Sequence, residues 1–583
     1  SRENYPEQWA SIQSSLARIY ASKMKGDRKH NVETASWLFE RALEVCTPQN
    51  SPLEYQRTLR HIAKLYFNNQ QWDKALENYL ELEQNLDQDI VQKAPVEIKN
   101  IQLKRVQEIF ENGAFCFGQL NEPLQALIFL EKEKQFISQS NTLADNLYLQ
   151  PATLSVTCAK VFQSPEMVLI EMAITEQGTM LFLYNQQFPD QVKTLHLHAL
   201  TRPLLHDLMF KEKHGYLSQY YLNKDNWYKD IQDHLSYIGE LFWQELHPVF
   251  QNHQVRKLII IPHNYLSIIP LQATPFYDSA VGRRVFPIEY YEMVFAPSAD
   301  SYFKIVSAES DVNSTPEALF VENPEGDLAY SLSEIINLPE LVDQYNYQLK
   351  TIKNDRVTQQ ALEKWLPQVH LFHYYGHGIF DPMHTSRSGF YLAPRDGQEE
   401  LFTINDLNQK IFFQNNPLII LSACETGMAD FLNYQGNSLG SLPQAFLEVG
   451  SKTVIASLWE VPNLATSILF IKFYDELFRH KQTPIMALRQ AQMWLKSATR
   501  AQLEAYLRQM VSAPRLARFQ EDLHNYGLEQ RDKYVFLGLK NMVKELNIGA
   551  EPDKCPFAHP INWAGFYVTG AGFQPLVEKG NGN

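Results

Sequence analysis

Two short segments hold the side chains best suited to covalent chemistry. His377 stands in His373-Tyr374-Tyr375-Gly376-His377-Gly378, and Cys424 stands in Leu421-Ser422-Ala423-Cys424-Glu425-Thr426-Gly427. A thiol becomes a strong nucleophile when a base takes its proton, and imidazole is the common base near neutral pH. If the two segments meet, Cys424 can attack a carbonyl carbon while His377 takes or holds the thiol proton. The backbone N–H groups of Gly378 and Cys424 are candidates for an oxyanion hole. Gly376 and Gly378 let the chain turn tightly around the histidine and come close to a substrate. Each residue also has a plainer explanation. A cysteine at a strand end suits a buried, inert position, and a histidine in a glycine-rich loop suits a turn. Residue types alone leave both open.

The elements that must position this pair are readable in outline. Residues 369–375 and 417–421 are apolar runs that predict buried strands, one leading into each segment. Beyond a polar stretch at 308–316, strands and helices alternate. Strands are predicted at 318–321, 369–375, 390–392, 418–421, 453–459 and 565–569. Helices are predicted at 358–365 and 438–449, the latter closed by Gly450. Residues 464–547 read as a mostly helical insertion. Such alternation predicts an α/β fold with a largely parallel sheet covered by helices on both faces. Ligands bind such sheets beyond the carboxyl ends of the strands, where His377 and Cys424 both lie.

Earlier in the chain the pattern differs. Residues 167–174 and 179–184 flank Glu176-Gln177-Gly178 as a hairpin. A helix is predicted over 225–250 and a strand over 258–261. Residues up to about 150 read as helices with an internal repeat. First helices carry Ala17 with Tyr20, Ala63 with Tyr66, and Ala114 with Phe117. Second helices carry Ala35 with Phe39, Ala75 with Tyr79, and Ala126 with Leu130. Small residues let paired helices approach, and aromatic ones fill the groove to the next pair. Asn69-Gln70-Gln71-Trp72-Asp73-Lys74-Ala75-Leu76 is similar to a tetratricopeptide turn and second helix. The repeats are degenerate, because their spacing exceeds the usual ~34 residues. A plain helical bundle is the alternative.

Bulk properties exclude several functions. The 583 residues are too many for one ordinary core. The net charge of −14, without a Lys/Arg block, disfavours direct duplex nucleic acid binding. No apolar run is long enough to span a bilayer, so no membrane association is expected. The start at Ser1 does not read as a signal peptide. Five cysteines, widely spaced and without a CxxC pair, argue against a disulfide framework and a zinc site. The expectation is a cytoplasmic, reducing environment, with no metal and no cofactor. The absence of a GxxxxGK[ST] loop argues against an intrinsic nucleotide hydrolase.

The His-Gly segment and Leu421 to Gly427 together resemble the CHAT family, caspase-like cysteine peptidases related to separase within the caspase–gingipain clan. Further agreement lies in Ile261-Pro262-His263, Ser457-Leu458-Trp459 and Pro556-Phe557-Ala558-His559-Pro560. The resemblance covers roughly 150–575. It implies a caspase-type α/β/α sandwich over 311–583, preceded by a pseudo-protease-like α/β part over 151–310. Tetratricopeptide-like repeats would occupy 1–150. It implies a cysteine endopeptidase with a His377–Cys424 dyad, acting on protein or peptide substrates. A regulatory protein partner would bind the repeats, and the family's settings include bacterial defence. By the same resemblance, Trp459 and Glu460 would border the substrate pocket, although Trp459 equally suits core packing. His373 and Asp381 are possible orienting residues. His373 also suits a structural role within its strand, and Asp381 an exposed loop. Glu425 reads as a local hydrogen-bonding partner. The rival is a binding scaffold whose protease fold is inactive, against which the presence of both His377 and Cys424 speaks; an acyltransferase or other thiol hydrolase would use the same dyad.

Overall fold

Among the described residues, six helices open the chain: α1 (Pro6–Ser22), α2 (Arg28–Leu43), α3 (Pro52–Asn68), α4 (Trp72–Gln84), α5 (Val96–Gln119) and α6 (Pro123–Ser138). They pack in consecutive pairs, α1 on α2, α3 on α4 and α5 on α6. All six alanines of the repeat are fully buried, as close approach of paired helices requires. Successive pairs also stack, with Phe67 of α3 edge-on to Phe115 of α5 at 5.5 Å. The computed structural model describes residues 2–23, 25–86, 96–138, 164–185, 188, 191–308, 315–328, 347–429, 440–510, 544, 546 and 551–576. These divide into two compact units, one formed by residues 1–157 and 170–204, the other by 158–169 and 205–583.

The predicted hairpin is present as β1 (Met167–Thr175) and β2 (Gly178–Tyr184), extended antiparallel by β3 (Val192–Leu197). Glu171 of β1 is buried and ion-paired with Lys134 of α6, which offsets the desolvation of both. The first unit is therefore helical repeats together with most of this small sheet.

The helices α7 (Arg202–Phe210), α8 (Tyr216–Leu222) and α9 (Lys224–Asn252) follow. The side chain of Asn223 caps α9 by accepting from the Asn226 amide at 3.3 Å. Next come β4 (Lys257–Ile260), the hairpin β5 (Phe276–Asp278) and β6 (Arg283–Val285), β7 (Glu292–Phe295) and α10 (Ala299–Ser307). The region beyond the polar stretch holds β8 (Glu317–Glu322), β9 (Gln348–Lys353), α11 (Gln359–Trp365), β10 (Leu371–Tyr375), β11 (Gly378–Ile379), β12 (Gly389–Tyr391), β13 (Leu401–Thr403) and α12 (Ile404–Lys410). It continues with β14 (Leu418–Ser422), α13 (Leu442–Glu448), β15 (Thr453–Ser457), α14 (Asn463–Tyr474), α15 (Pro484–Ser497), α16 (Arg500–Met510) and β16 (Phe566–Gly570).

The main sheet of the second unit runs β4-β7-β16-β15-β14-β10-β8-β9. Every neighbouring pair is parallel except β15 with β16. The α/β class with a largely parallel sheet is therefore the fold of this unit. β10 and β14 are buried along their whole length, which explains their unbroken apolar character. Residues on both sides of the expected boundary at 310 share this sheet, because β16 lies between β15 and β7. Of the expected helical insertion, the part beyond 510 lies outside the described residues, save Lys544 and Leu546. Among the described residues no helix is long and apolar enough to cross a membrane.

Candidate active site

β10 and β14 are parallel neighbours in the register Leu371↔Leu418 to Tyr375↔Ser422. His377 and Cys424 therefore stand two residues beyond the same registered pair. The Gly376 amide continues the pairing by donating to the Ser422 carbonyl at 3.4 Å. Gly378 then packs against the cysteine loop. A Cβ at Gly378 would lie 2.7 Å from the Cys424 carbonyl oxygen and 2.8 Å from Thr426 Cγ2. Only a residue without a side chain allows the two loops to touch there.

Each loop is anchored from behind. The His377 carbonyl accepts from the Tyr391 amide at 3.0 Å and from the Tyr374 hydroxyl at 2.9 Å. That makes 377 and 391 the hydrogen-bonded pair of the β11–β12 ladder. Gly378, opposite Phe390, is then in a non-hydrogen-bonded pair, and its N–H turns away from β12. In the cysteine loop, Ser457 Oγ donates to the Ala423 carbonyl at 2.6 Å. The Gly427 amide donates to the Ser457 carbonyl at 2.6 Å, and the Tyr567 hydroxyl to the Gly427 carbonyl at 2.9 Å.

The Cys424 thiol is half-buried. Burial pushes its pKa up to about 11, opposed by a hydrogen bond from the Val461 amide and reinforced by the Glu460 and Glu425 carboxylates. In this arrangement the thiol is protonated at neutral pH. His377 is also half-exposed, and its Nε2 faces Asp327 Oδ2 at 2.9 Å.

Asp327 was not singled out by the sequence. It lies in the turn after β8, the other neighbour of β10, where Tyr375 is registered with Glu322. Asn323 builds that turn. Its Oδ1 accepts from the amides of Asp327 at 3.1 Å and Leu328 at 3.2 Å, and its own amide donates to the Tyr375 carbonyl at 2.7 Å. The signal in the sequence was Asn323-Pro324-Glu325-Gly326-Asp327, a turn directly after a strand. Fifty residues separate it from His377, and strand order decides that the two meet.

The other residues proposed from the sequence take different places. His373 is buried in β10, with Nδ1 2.6 Å from the Tyr474 hydroxyl and its ring against Phe470 and Phe320. Burial lowers its pKa to about 3, so it stays neutral. Asp381 accepts from the amides of Met383 and His384, both at 2.9 Å, and so closes its own turn. The carboxylate bonded to His377 is that of Asp327, not of Asp381. Trp459 is fully buried, donating to the Ile561 carbonyl at 3.2 Å and edge-on to Trp227 at 5.6 Å. Glu460 is exposed and ion-paired with Lys224 of α9, so its charge is already countered. Glu425 accepts from the Tyr220 hydroxyl at 2.6 Å, and burial raises its pKa.

Residues 232–571 match the model of the CHAT domain family. No curated protein matches the chain. Among solved structures, the chain is similar to separase in the separase–securin complex of Saccharomyces cerevisiae, at 10% identity and a TM-score of 0.48. That match covers 84% of this chain and 42% of the separase chain, so this chain spans less than half the length of that relative. It is also similar to the Arg specific cysteine proteinase gingipain R, at 13% identity and a TM-score of 0.33, covering 59% of this chain and 68% of that one. The complex of the RgpB pro- and mature domains from Porphyromonas gingivalis matches at 14% identity and a TM-score of 0.31, covering 59% and 70%.

Proposed function

Because this chain belongs to the CHAT family, we propose that it is a cysteine endopeptidase in which Cys424 is the nucleophile and His377 its base. The observation that carries this reading is the backbone contact of Gly378 with Cys424, made by loops that leave two registered strands at the same level. In the reaction the Cys424 sulfur attacks the substrate carbonyl carbon while His377 takes the thiol proton. The Gly378 and Cys424 N–H groups bind the oxygen that becomes negative. His377 then returns the proton to the leaving amine, and water completes hydrolysis of the thioester. Asp327 orients the imidazole from Nε2.

The protonated thiol belongs to a resting arrangement. Activation must let His377 take the thiol proton. We assign that control to a protein partner on the helical repeats, since stacked helical pairs suit protein recognition. The partner must bind the active arrangement more tightly than the resting one. The raised thiol pKa also favours a second reading, a protease-fold scaffold without turnover.

Profiling new protein termini with the intact chain and with Cys424→Ala separates the two. Endopeptidase activity gives termini that disappear in both Cys424→Ala and His377→Ala. A scaffold gives the same termini in all three. Proteins captured on Cys424→Ala and added back to the intact chain should raise its cleavage rate if they include the partner.

A further inference from the structure

The position of the Cys424 sulfur depends on two short backbone segments. One is the turn that begins at Cys424, after β14 has ended at Ser422. The other follows the end of β15 at Ser457 and supplies the Val461 amide that bonds the sulfur. Within the first, Glu425 has φ of 56°, the left-handed region that a residue with a side chain rarely occupies. Surrounding contacts must hold it there.

A hydroxyl from α8 touches both segments. Tyr220 Oη donates to Glu425 Oε1 at 2.6 Å and accepts from the Glu460 amide at 3.2 Å. One bond ends on the residue after Cys424, the other on the residue before Val461. A phenol has a single proton to donate, and it is committed to Glu425. The ring itself is fixed. It is buried, edge-on to Trp227 at 4.9 Å, and the Lys224 ammonium lies 4.8 Å from its centre while pairing with Glu460.

We propose that Tyr220 is a positioning residue: its hydroxyl pins the turn after Cys424 to the segment carrying the Val461 amide, and so sets where the sulfur stands. The inference rests on the peptidase reading for its consequence, since a misplaced nucleophile slows turnover. The pin itself is a structural claim, readable without any substrate. Loss of the hydroxyl takes one donor from the Glu425 carboxylate, leaving it the Phe380 amide, and frees the loop around the sulfur. Solvent then reaches Cys424 more easily while its aim at a carbonyl worsens. The two effects have opposite signs, which a general loss of packing does not produce.

The test compares the intact chain with Tyr220→Phe in two assays. The first is cleavage of fluorescein-labelled casein with the captured partner proteins present. The second is iodoacetamide modification of each cysteine at pH 8, followed by peptide mapping. Tyr220→Phe should lower kcat roughly 10- to 100-fold with KM changed by no more than about twofold, the scale of a lost hydrogen bond to a charged group. Modification of Cys424 should quicken by roughly threefold or more as burial of the thiol is relieved, with Cys46, Cys116 and Cys555 unchanged. Glu425→Gln keeps an acceptor for the hydroxyl and should stay within about threefold of the intact chain in both assays. Its combination with Tyr220→Phe should be no worse than Tyr220→Phe alone.

If Tyr220→Phe does not fold, Glu425→Gly cuts the same bond and relieves the left-handed backbone. It must then show the same opposed changes. Unchanged Cys424 modification overturns the pin, as does equal quickening at Cys46, Cys116 and Cys555. A chain that does not cleave casein even with the captured partner proteins present counts against the peptidase reading alone, because the modification assay still decides the role of Tyr220.

Discussion

Gly378 and Cys424 meet backbone to backbone, with room for a hydrogen but not a methyl group between them. A methyl at 378 must push the histidine loop off the cysteine loop, moving the very atoms that the proposed reaction uses. Gly378→Ala is expected to cost about 1–3 kcal/mol of stability, as over-packing of a tight contact does. It should also lower peptide cleavage at least tenfold, because small misplacements of reacting groups are amplified in rate. Denaturant midpoints and initial rates check the two effects separately. A Gly378→Ala chain cleaving at the intact rate would show that the contact is incidental.

Asp327 bonds His377 from the solvent side, and both side chains are substantially exposed. Exposure weakens the charge interaction but not the geometric restraint on the ring. Asp327→Asn, which keeps a polar group at that position, should lower kcat by roughly 3- to 30-fold with KM nearly constant. Asp381→Asn serves as the comparison, since its carboxylate closes a separate turn. It should leave kcat within about twofold. The reverse ranking would return the orienting role to Asp381.

Most of the fold was legible because strand and helix periods are local. The strand 369–375 appears as Leu371–Tyr375, and the strand 565–569 as Phe566–Gly570. The meeting of the His377 and Cys424 loops was inferred from their matching positions after two strands, and the register supplies that match. What could not be read was strand order. Asp327 reaches His377 only because β8 lies beside β10. Tyr220 reaches Glu425 across 205 residues, a contact that no local pattern encodes. The pairing of Glu460 with Lys224 was hidden for the same reason.

His373 lies in the strand that leads into the His377 loop but belongs to the core. Its pKa falls from 6.5 to about 3 through burial. A lowered histidine pKa means that folding favours the neutral ring. That stability is present above about pH 6.5 and is lost as pH falls toward 3, roughly 2–3 kcal/mol by pH 4.5. His373→Phe keeps the aromatic packing but leaves the Tyr474 hydroxyl without the ring nitrogen, which should cost roughly 1 kcal/mol at pH 7. At pH 4.5 the order should reverse, with the variant more stable than the intact chain. Urea midpoints at the two pH values check this. Cleavage at pH 7 should survive the substitution, since the ring touches no reacting atom.

Cys424 carries the opposite pH signature. Its pKa is raised from 9.0 to about 11, so the folded resting state binds a proton that the unfolded chain has already released between those values. Stability from this group is therefore complete below about pH 9 and declines as pH rises toward 11, by roughly 2 kcal/mol at pH 10.5. Other groups titrate over the same range, so the comparison must be with Cys424→Ser, whose hydroxyl does not ionise there. The stability of the intact chain relative to Cys424→Ser should fall between pH 8.5 and 10.5, by an amount that urea midpoints can resolve. Alkylation of Cys424 should rise about tenfold per pH unit over the same interval, following the thiolate fraction. A Cys424 that alkylates with a midpoint near or below pH 7 in the isolated chain would mean that the thiol is already activated. The resting arrangement, and the need for a partner to change it, would then be wrong.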